Sequence, residues 1–313
     1  MLRIGTRGSR LALWQARAVE AAIQEVGGPP CESIIIRTSG DRLVTNTLSL
    51  SGGKSLFVKE IEEALLNGVV DLAVHSAKDL PADLPQGLMI GATLPRADPR
   101  DALVIAKQEN VEPSRETAQL MSTLGPKPRI GTGSVRRIAQ LSHAFPNVAF
   151  QPIRGNVDTR LRKLDEGQYD AVVLASAGLV RLGLASRISA SFSASECIPA
   201  PGQGIVAIEV RASETENCPL LTKIGDRNAM LALEAERALV KGLNGDCRVP
   251  IGAIAVTEAD GLVLNAVVAS LDGQKVLRRQ THGPAQDASA LGHDLANQLL
   301  EDGADMILAQ HRQ

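Results

Sequence analysis

The sequence predicts an α/β protein: two similar α/β domains followed by a small C-terminal α+β domain with an antiparallel sheet. Three observations lead there. Short apolar runs alternate with helical patterns through the first two thirds of the chain, which is the order of parallel βαβ units. An internal echo runs through the same stretch: Arg3-Ile4-Gly5-Thr6 before Gly8-Ser9 resembles Arg129-Ile130-Gly131-Thr132 before Gly133-Ser134, and the run from Asp71 to Ala77 resembles that from Asp170 to Ala177. The last third then changes character, with strand-like runs separated by the hairpin signals Asp260-Gly261 and Asp272-Gly273.

In chain order, apolar runs predict strands at 2–5, 33–37, 71–75, 88–92, 102–106, 129–132, 148–153 and 170–175. Helical patterns fill 9–26, 56–67, 135–144 and 157–166, with Ser9 and Ser134 as natural N-caps. The segment 39–54, rich in Ser, Thr and Gly, is a long loop of the kind that forms lids or binding loops. Proline-bearing stretches at 95–99 and 199–204 are the expected crossings between the two α/β domains. A helix at 226–241, three strand-like runs and a final helix at 285–300 complete the third. The division expected is 1–96 with 201–222, then 97–200, then 223–313.

Composition bounds the function. A chain of 313 residues, 44% hydrophobic and 22% charged, is long enough to bury real cores, which excludes a disordered chain or a disulfide-stapled miniature. With 33 basic against 35 acidic residues and 2% aromatics, it lacks the basic excess and stacking platforms of a nucleic-acid binder. Cys31, Cys197, Cys218 and Cys247 are widely spaced with no CxxC, so no metal site is expected. The N-terminus carries Arg3, Arg7 and Arg10 inside its apolar stretch, unlike a signal peptide, and no run approaches a membrane span. A reduced cytoplasmic protein is expected, with no nucleic-acid or membrane partner.

The chemistry lies in small-residue loops rich in arginine. Gly5-Thr6-Arg7-Gly8-Ser9 and Gly131-Thr132-Gly133-Ser134 each sit where a strand hands over to a helix, where free N–H groups bind anions. Arginine there opposes the helix dipole unless an anionic ligand is present, yet Arg7, Arg136 and Arg137 are there. Arg154, Arg160 and Arg181 follow in similar loops, and the set resembles a carboxylate or phosphate clamp. Two nucleotide motifs fail: Ser51-Gly-Gly-Lys-Ser55 has Leu48 where a P-loop needs glycine, and Gly131-Thr-Gly133 has Arg136 where a dinucleotide fold needs its third. On residues alone, His75 is a packed side chain, Asp79 a cap or turn residue paired with Lys78, and Trp14 part of the core. Cys247, in a loop beside Arg248, is the cysteine with a nucleophile's setting.

Seven blocks, in order over nearly the whole chain, resemble the hydroxymethylbilane synthase family, also called porphobilinogen deaminases. They are Ile4-Gly-Thr-Arg-Gly-Ser-Arg-Leu-Ala-Leu-Trp-Gln-Ala16, Gly52-Gly-Lys-Ser-Leu-Phe-Val-Lys-Glu60, His75-Ser-Ala-Lys-Asp-Leu-Pro81, Asp98-Pro-Arg-Asp-Ala102, Gly131-Thr-Gly-Ser-Val-Arg-Arg137, Arg154-Gly-Asn-Val-Asp-Thr-Arg160 and Glu236-Arg-Ala-Leu with Gly245-Asp-Cys-Arg-Val-Pro-Ile-Gly252. The resemblance implies that the first two domains are similar to the halves of periplasmic binding proteins, with a hinge and a cleft. It implies a dipyrromethane cofactor linked through a thioether to Cys247, and successive addition of four porphobilinogens, each losing ammonia, to give 1-hydroxymethylbilane. It further implies Asp79 as the catalytic carboxylate, stabilising a cationic azafulvene. Carboxylate binding falls to Arg7, Arg136, Arg137, Arg154, Arg160 and Arg181, supported by Ser9, Lys78, Thr132, Ser134 and Gln203. A monomer is implied as well.

Two positions depart from the family pattern: Asp246 stands where a small residue usually precedes the cysteine, and Leu50 where a lysine can occur. The competing classes are weaker. A non-catalytic solute-binding protein explains the arginines but not Cys247 or the third domain. A regulator's effector module would need a DNA-binding segment, and no basic helix-turn-helix is present.

Overall fold

The computed structural model describes residues 1–39, 58–106, 116–214, 219–245 and 249–311. Strand β1 (Leu2–Thr6) runs into α1 (Arg10–Glu25), which Ser9 starts by accepting a hydrogen bond from the Ala12 amide at 3.3 Å. Ala12, Ala16, Val19 and Ile23 recur at helical spacing and bury one face of α1 on the sheet. Then come β2 (Cys31–Ile35), α2 (Lys59–Leu66), β3 (Leu72–Ser76) and β4 (Leu88–Thr93). The chain crosses to a second sheet as β5 (Asp101–Ile105) and continues through α3 (Thr117–Thr123), β6 (Arg129–Gly131), α4 (Val135–Ala144), β7 (Ala149–Gln151) and α5 (Val157–Asp165). It completes that sheet with β8 (Ala171–Ala175), α6 (Ser176–Arg181) and β9 (Ala190–Ser191), and returns to the first as β10 (Val206–Arg211).

The two sheets share one plan. Their orders are β2-β1-β3-β10-β4 and β7-β6-β8-β5-β9, so β1 matches β6 and β3 matches β8. The sequence echo has a bonded counterpart. Arg3 binds Asp71 through its amide at 2.8 Å and its guanidinium at 2.6 Å, and Arg129 binds Asp170 in the same way at 2.7 and 2.8 Å.

The sheets are mixed, not wholly parallel. β10 is antiparallel to β3 and β4, and β5 to β8 and β9. In each case the reversed strand is the first after a crossing. β5 starts with Asp101 opposite Ala175, the last residue of β8, and β10 starts with Val206 opposite Ser76, the last of β3. Both crossings therefore lie at the carboxyl ends of the parallel strands, and a chain entering there has to run back against its neighbours.

The last third is α7 (Pro219–Ile224), α8 (Arg227–Gly242), the antiparallel sheet β11 (Ile251–Glu258), β12 (Gly261–Ala269) and β13 (Val276–Gly283), then α9 (Ala288–Glu301) and α10 (Ala304–Ala309). Leu239, Leu264, Val268, Leu295 and Leu299 are fully buried between helices and sheet. Glu236 of α8, with no exposure at all, fastens this layer to both crossings. It pairs with Arg96 at 2.5 Å and accepts from the amides of Gly202 at 2.6 Å and Ala255 at 2.7 Å. The expected loop at 39–54 falls, from residue 40 on, outside the described residues.

Candidate active site

The residues singled out in the sequence gather at the carboxyl ends of the strands, where the two crossings also pass. In open α/β sheets this is where ligands bind. β3 ends in Ser76 and a tight turn, Ala77–Asp79, that presents Lys78 and Asp79. Two contacts hold the turn against the second crossing: the Ala77 amide donates to Ile205 O at 3.0 Å, and Lys78 Nζ donates to Gln203 Oε1 at 3.3 Å. Gly202, at φ +73°, lies so close that a Cβ there would come within 2.9 Å of the Ala77 backbone.

Gln203 is buried and links the lobes. Its Nε2 donates to Pro99 O at 2.6 Å and to Asp101 Oδ1 at 2.9 Å. Asp101, fully buried, is the acid on which both helix-start arginines converge. Arg136 Nη1 lies 2.7 Å from one carboxylate oxygen, and Arg137 approaches the other through Nε at 3.0 Å and Nη2 at 2.7 Å. Burial alone would raise the Asp101 pKa, but the two guanidiniums outweigh it and hold the carboxylate far below its usual range. One carboxylate thus serves two guanidiniums, and a net positive charge stays buried at the strand ends. In the sequence nothing but its place in the block at 98–102 marks Asp101, because its role arises from tertiary contact with Arg136 and Arg137.

Arg160, from α5, is near enough to Arg137 and to Asp79 to feel the charge of each. Its Nε donates to Gly155 O at 2.8 Å; burial brings its pKa down to about 10, Arg137 adds to the fall, and Asp79 opposes it. Asp79 of the first sheet and Arg160 of the second are therefore electrostatic partners across the cleft. Arg181 ends α6, donates to Gly204 O at 2.7 Å and lies 5.4 Å over the Trp14 ring, and burial lowers its pKa to about 10 as well. Trp14, expected in the core, is 39% exposed and serves instead as a platform for this arginine.

The other expected residues fall around this centre. Arg7 is half-buried in the β1–α1 loop. Ser9 caps α1, whereas Ser134 occupies the cap position of α4 without a side-chain cap bond. Thr132 is fully buried and its hydroxyl accepts from the Ser134 amide at 3.3 Å. Arg154 is exposed on the loop after β7 and has no side-chain partner among the described residues. Arg10 of α1 and Asp158 of α5, neither expected in any role, form an exposed ion pair at 2.8 Å between the two lobes. Cys247, with Asp246 and Arg248, lies outside the described residues, as do Leu50 and residues 52–54. Cys197 is buried beside Arg136 and Asp101; burial pushes its thiol up to about 12, which suits an inert side chain.

No group of three or more His, Cys, Asp or Glu side chains that could hold a metal occurs among the described residues. No helix there is long and apolar enough to cross a membrane.

Comparison with known proteins adds the following. Residues 2–218 match the family model described as porphobilinogen deaminase, dipyromethane cofactor binding domain, and residues 230–301 the model for the porphobilinogen deaminase C-terminal domain. The porphobilinogen deaminase of Chromobacterium violaceum is 46% identical over 308 residues, covering 98% of this chain and 96% of its own. That of Bordetella parapertussis is 45% identical over 311 residues, covering 99% and 96%. Among solved structures, immunogenic lipoprotein A from Vibrio vulnificus is 12% identical over 75% of this chain and 99% of its own, with a TM-score of 0.43.

Proposed function

The chain belongs to the porphobilinogen deaminase family, and we propose that its strand-end cluster is where four porphobilinogens are joined head to tail, each losing ammonia, into 1-hydroxymethylbilane. The enzyme is a transferase of porphyrin biosynthesis, with a small-molecule substrate and a dipyrromethane cofactor. The observation that carries the site assignment is the convergence of Arg136 and Arg137 on Asp101 at the strand ends, with Arg160 near enough to feel the charges of both Arg137 and Asp79.

The donor set suits a pyrrole chain bearing acetate and propionate groups. Arg136 and Arg137 share one carboxylate, and Arg160 and Lys78 add further cations at the strand ends, where Asp79 lies among the acids. That imbalance in a partly desolvated cleft is what carboxylates on a ligand would neutralise. When bound, dipyrromethane supplies the anchored pyrrole end to which substrate is added. In our reading Cys247 carries the thioether, and it is the cysteine in the sequence block at 245–252 that resembles the family's.

The side chains then divide the work. Asp79 sits on the turn that the Ala77–Ile205 bond holds in place, and its charge acts on Arg160. It accepts hydrogen bonds from pyrrole N–H groups and stabilises the positive charge that develops on substrate as ammonia leaves. Lys78, steered by Gln203, and Arg160 hold substrate carboxylates on either side of that point. Arg136 and Arg137, tied down by Asp101, provide fixed positive potential in place of mobile contacts. Arg7, Arg154 and Arg181, with Ser9, Thr132 and Ser134 at the loop starts, extend the anion surface along the lengthening chain. The three-part division 1–96 with 201–222, 97–200 and 223–313 belongs to the same proposal, and the two like sheets and the Glu236 anchor support it. A cytoplasmic monomer is proposed on the resemblance alone. The test is stoichiometry: purified protein given porphobilinogen should release four ammonia per linear tetrapyrrole, and binding without turnover would point to a solute-binding protein.

A further inference from the structure

On the face of the first sheet opposite α1, three ionisable side chains meet almost out of reach of water. His75 Nε2 lies 3.1 Å from Glu209 Oε2, and Glu62 of α2 is close enough to feel both charges. Their relative exposures are 5%, 0% and 6%. The contact is ionic by distance but lacks hydrogen-bond geometry: His75 Nε2, both Glu209 oxygens and Glu62 Oε1 have no hydrogen-bond partner among the described residues. Buried carboxylates left in this state cost stability, and an apolar trio of the same size would pack better. Stability therefore does not explain them.

Their position does. His75 is the last inward-facing residue of β3 before Ser76, Ala77, Lys78 and Asp79, and Glu209 projects from the neighbouring strand β10, where Ala207 pairs with His75. From the other face of the sheet, Gln15 of α1 donates to Ser76 Oγ at 2.8 Å. From the third layer, Arg237 of α8 donates to Ala82 O at 2.8 Å, just past the turn, and feels the charges of Glu209 and Asp83. Glu63, next to Glu62 on α2, completes the set of charges facing the cluster. The end of β3 is thus gripped from α1, α2, β10 and α8.

We propose that the His75–Glu209 pair, with the buried Glu62 nearby, is the mount that sets the position of Lys78 and Asp79, so that His75 and Glu209 are positioning residues for the reaction. The proposal rests on Asp79 acting in that reaction. Burial, reinforced by Glu209, raises the Glu62 pKa to about 7, so the mount changes charge near neutrality and should impart a pH dependence to turnover.

The experiment compares Glu209→Gln in the wild-type and Asp79→Asn backgrounds, using the cofactor-loaded enzyme and recording kcat, KM, the pH profile of kcat and the melting midpoint. A mount displaced by a fraction of a bond length should lower kcat by roughly 10- to 100-fold with KM changed less than about threefold. Glu62→Gln should flatten the pH dependence of kcat around pH 7. In Asp79→Asn, Glu209→Gln should cost less than about twofold, because a positioning residue has nothing left to position. Wild-type kcat and pH profile in Glu209→Gln, or equal losses in both backgrounds, would overturn the proposal. Should Glu209→Gln not fold, the charge-neutral pair His75→Asn with Glu209→Gln has to show the same loss of kcat, and wild-type kcat there overturns it equally. Normal turnover by Asp79→Asn alone would instead strike the role given to Asp79.

Discussion

Replacing Asp101 by Asn removes one negative charge from between Arg136 and Arg137 and changes almost nothing in volume. In the wild type each guanidinium has a nitrogen 2.7 Å from a carboxylate oxygen, and all three groups are buried. At an effective dielectric constant of about 20, each contact is worth roughly 6 kcal/mol before desolvation. Burying the ions offsets most of that gain, so the intact cluster contributes little net stability. Breaking it is different, because the asparagine leaves two guanidiniums buried without a counter-charge. The expected loss is about 3–5 kcal/mol, read as a lower denaturant midpoint at pH 7. The sign with pH follows from the depressed carboxylate: its stabilisation is present above the unfolded value of 3.8 and lost as pH falls through the lower folded value. The gap between wild type and Asp101→Asn should therefore be flat from pH 5 to 8 and narrow only in strong acid. Porphobilinogen turnover should fall too, since Gln203 and Lys78 are aligned through the same carboxylate. A stability loss below about 1 kcal/mol, or a gap that widens in acid, would refute the claim that Asp101 holds the two arginines in place.

Asp79→Asn should fold and carry its pyrrole adduct yet turn over on the order of 10²–10³-fold more slowly, because one preorganised charge is lost at every addition; single-turnover kinetics check this. Arg154→Leu should behave differently, weakening the hold on the lengthening chain so that one enzyme-bound intermediate accumulates in mass spectra. Glu62→Gln should stabilise the fold at pH 8 by up to about 3 kcal/mol. A carboxyl raised to about 7 from 4.5 favours the folded state below 4.5 and loses that advantage as pH rises through 7, so the gain should vanish below pH 4 in denaturant titrations.

Much of this was legible in the sequence, for identifiable reasons. Glycine-rich turns between apolar runs and helical stretches marked β1–α1 and β6–α4, and the Arg3–Asp71 and Arg129–Asp170 pairs are the bonded form of the echo that implied two like domains. The reversal of β5 and β10 was not legible, because strand direction depends on where the chain crosses and not on any local pattern. β10 itself was missed: its apolar run is broken by Glu209, whose burial makes sense only beside His75. Arg136 and Arg137 look locally like a ligand clamp, and only tertiary contact with Asp101 shows them held on an internal acid. Trp14 read as core because it sits among leucines, but helical rotation turns it outward under Arg181.

The central claim is that this chain carries its own pyrrole anchor on Cys247 and builds on it. The most direct measurement is the intact mass of the purified protein beside that of Cys247→Ala. The wild type should be heavier than its sequence by two linked pyrrole units, and the variant should have its bare sequence mass and no turnover. A wild-type protein at bare sequence mass that still turns over, or a variant that keeps the excess, would contradict the account.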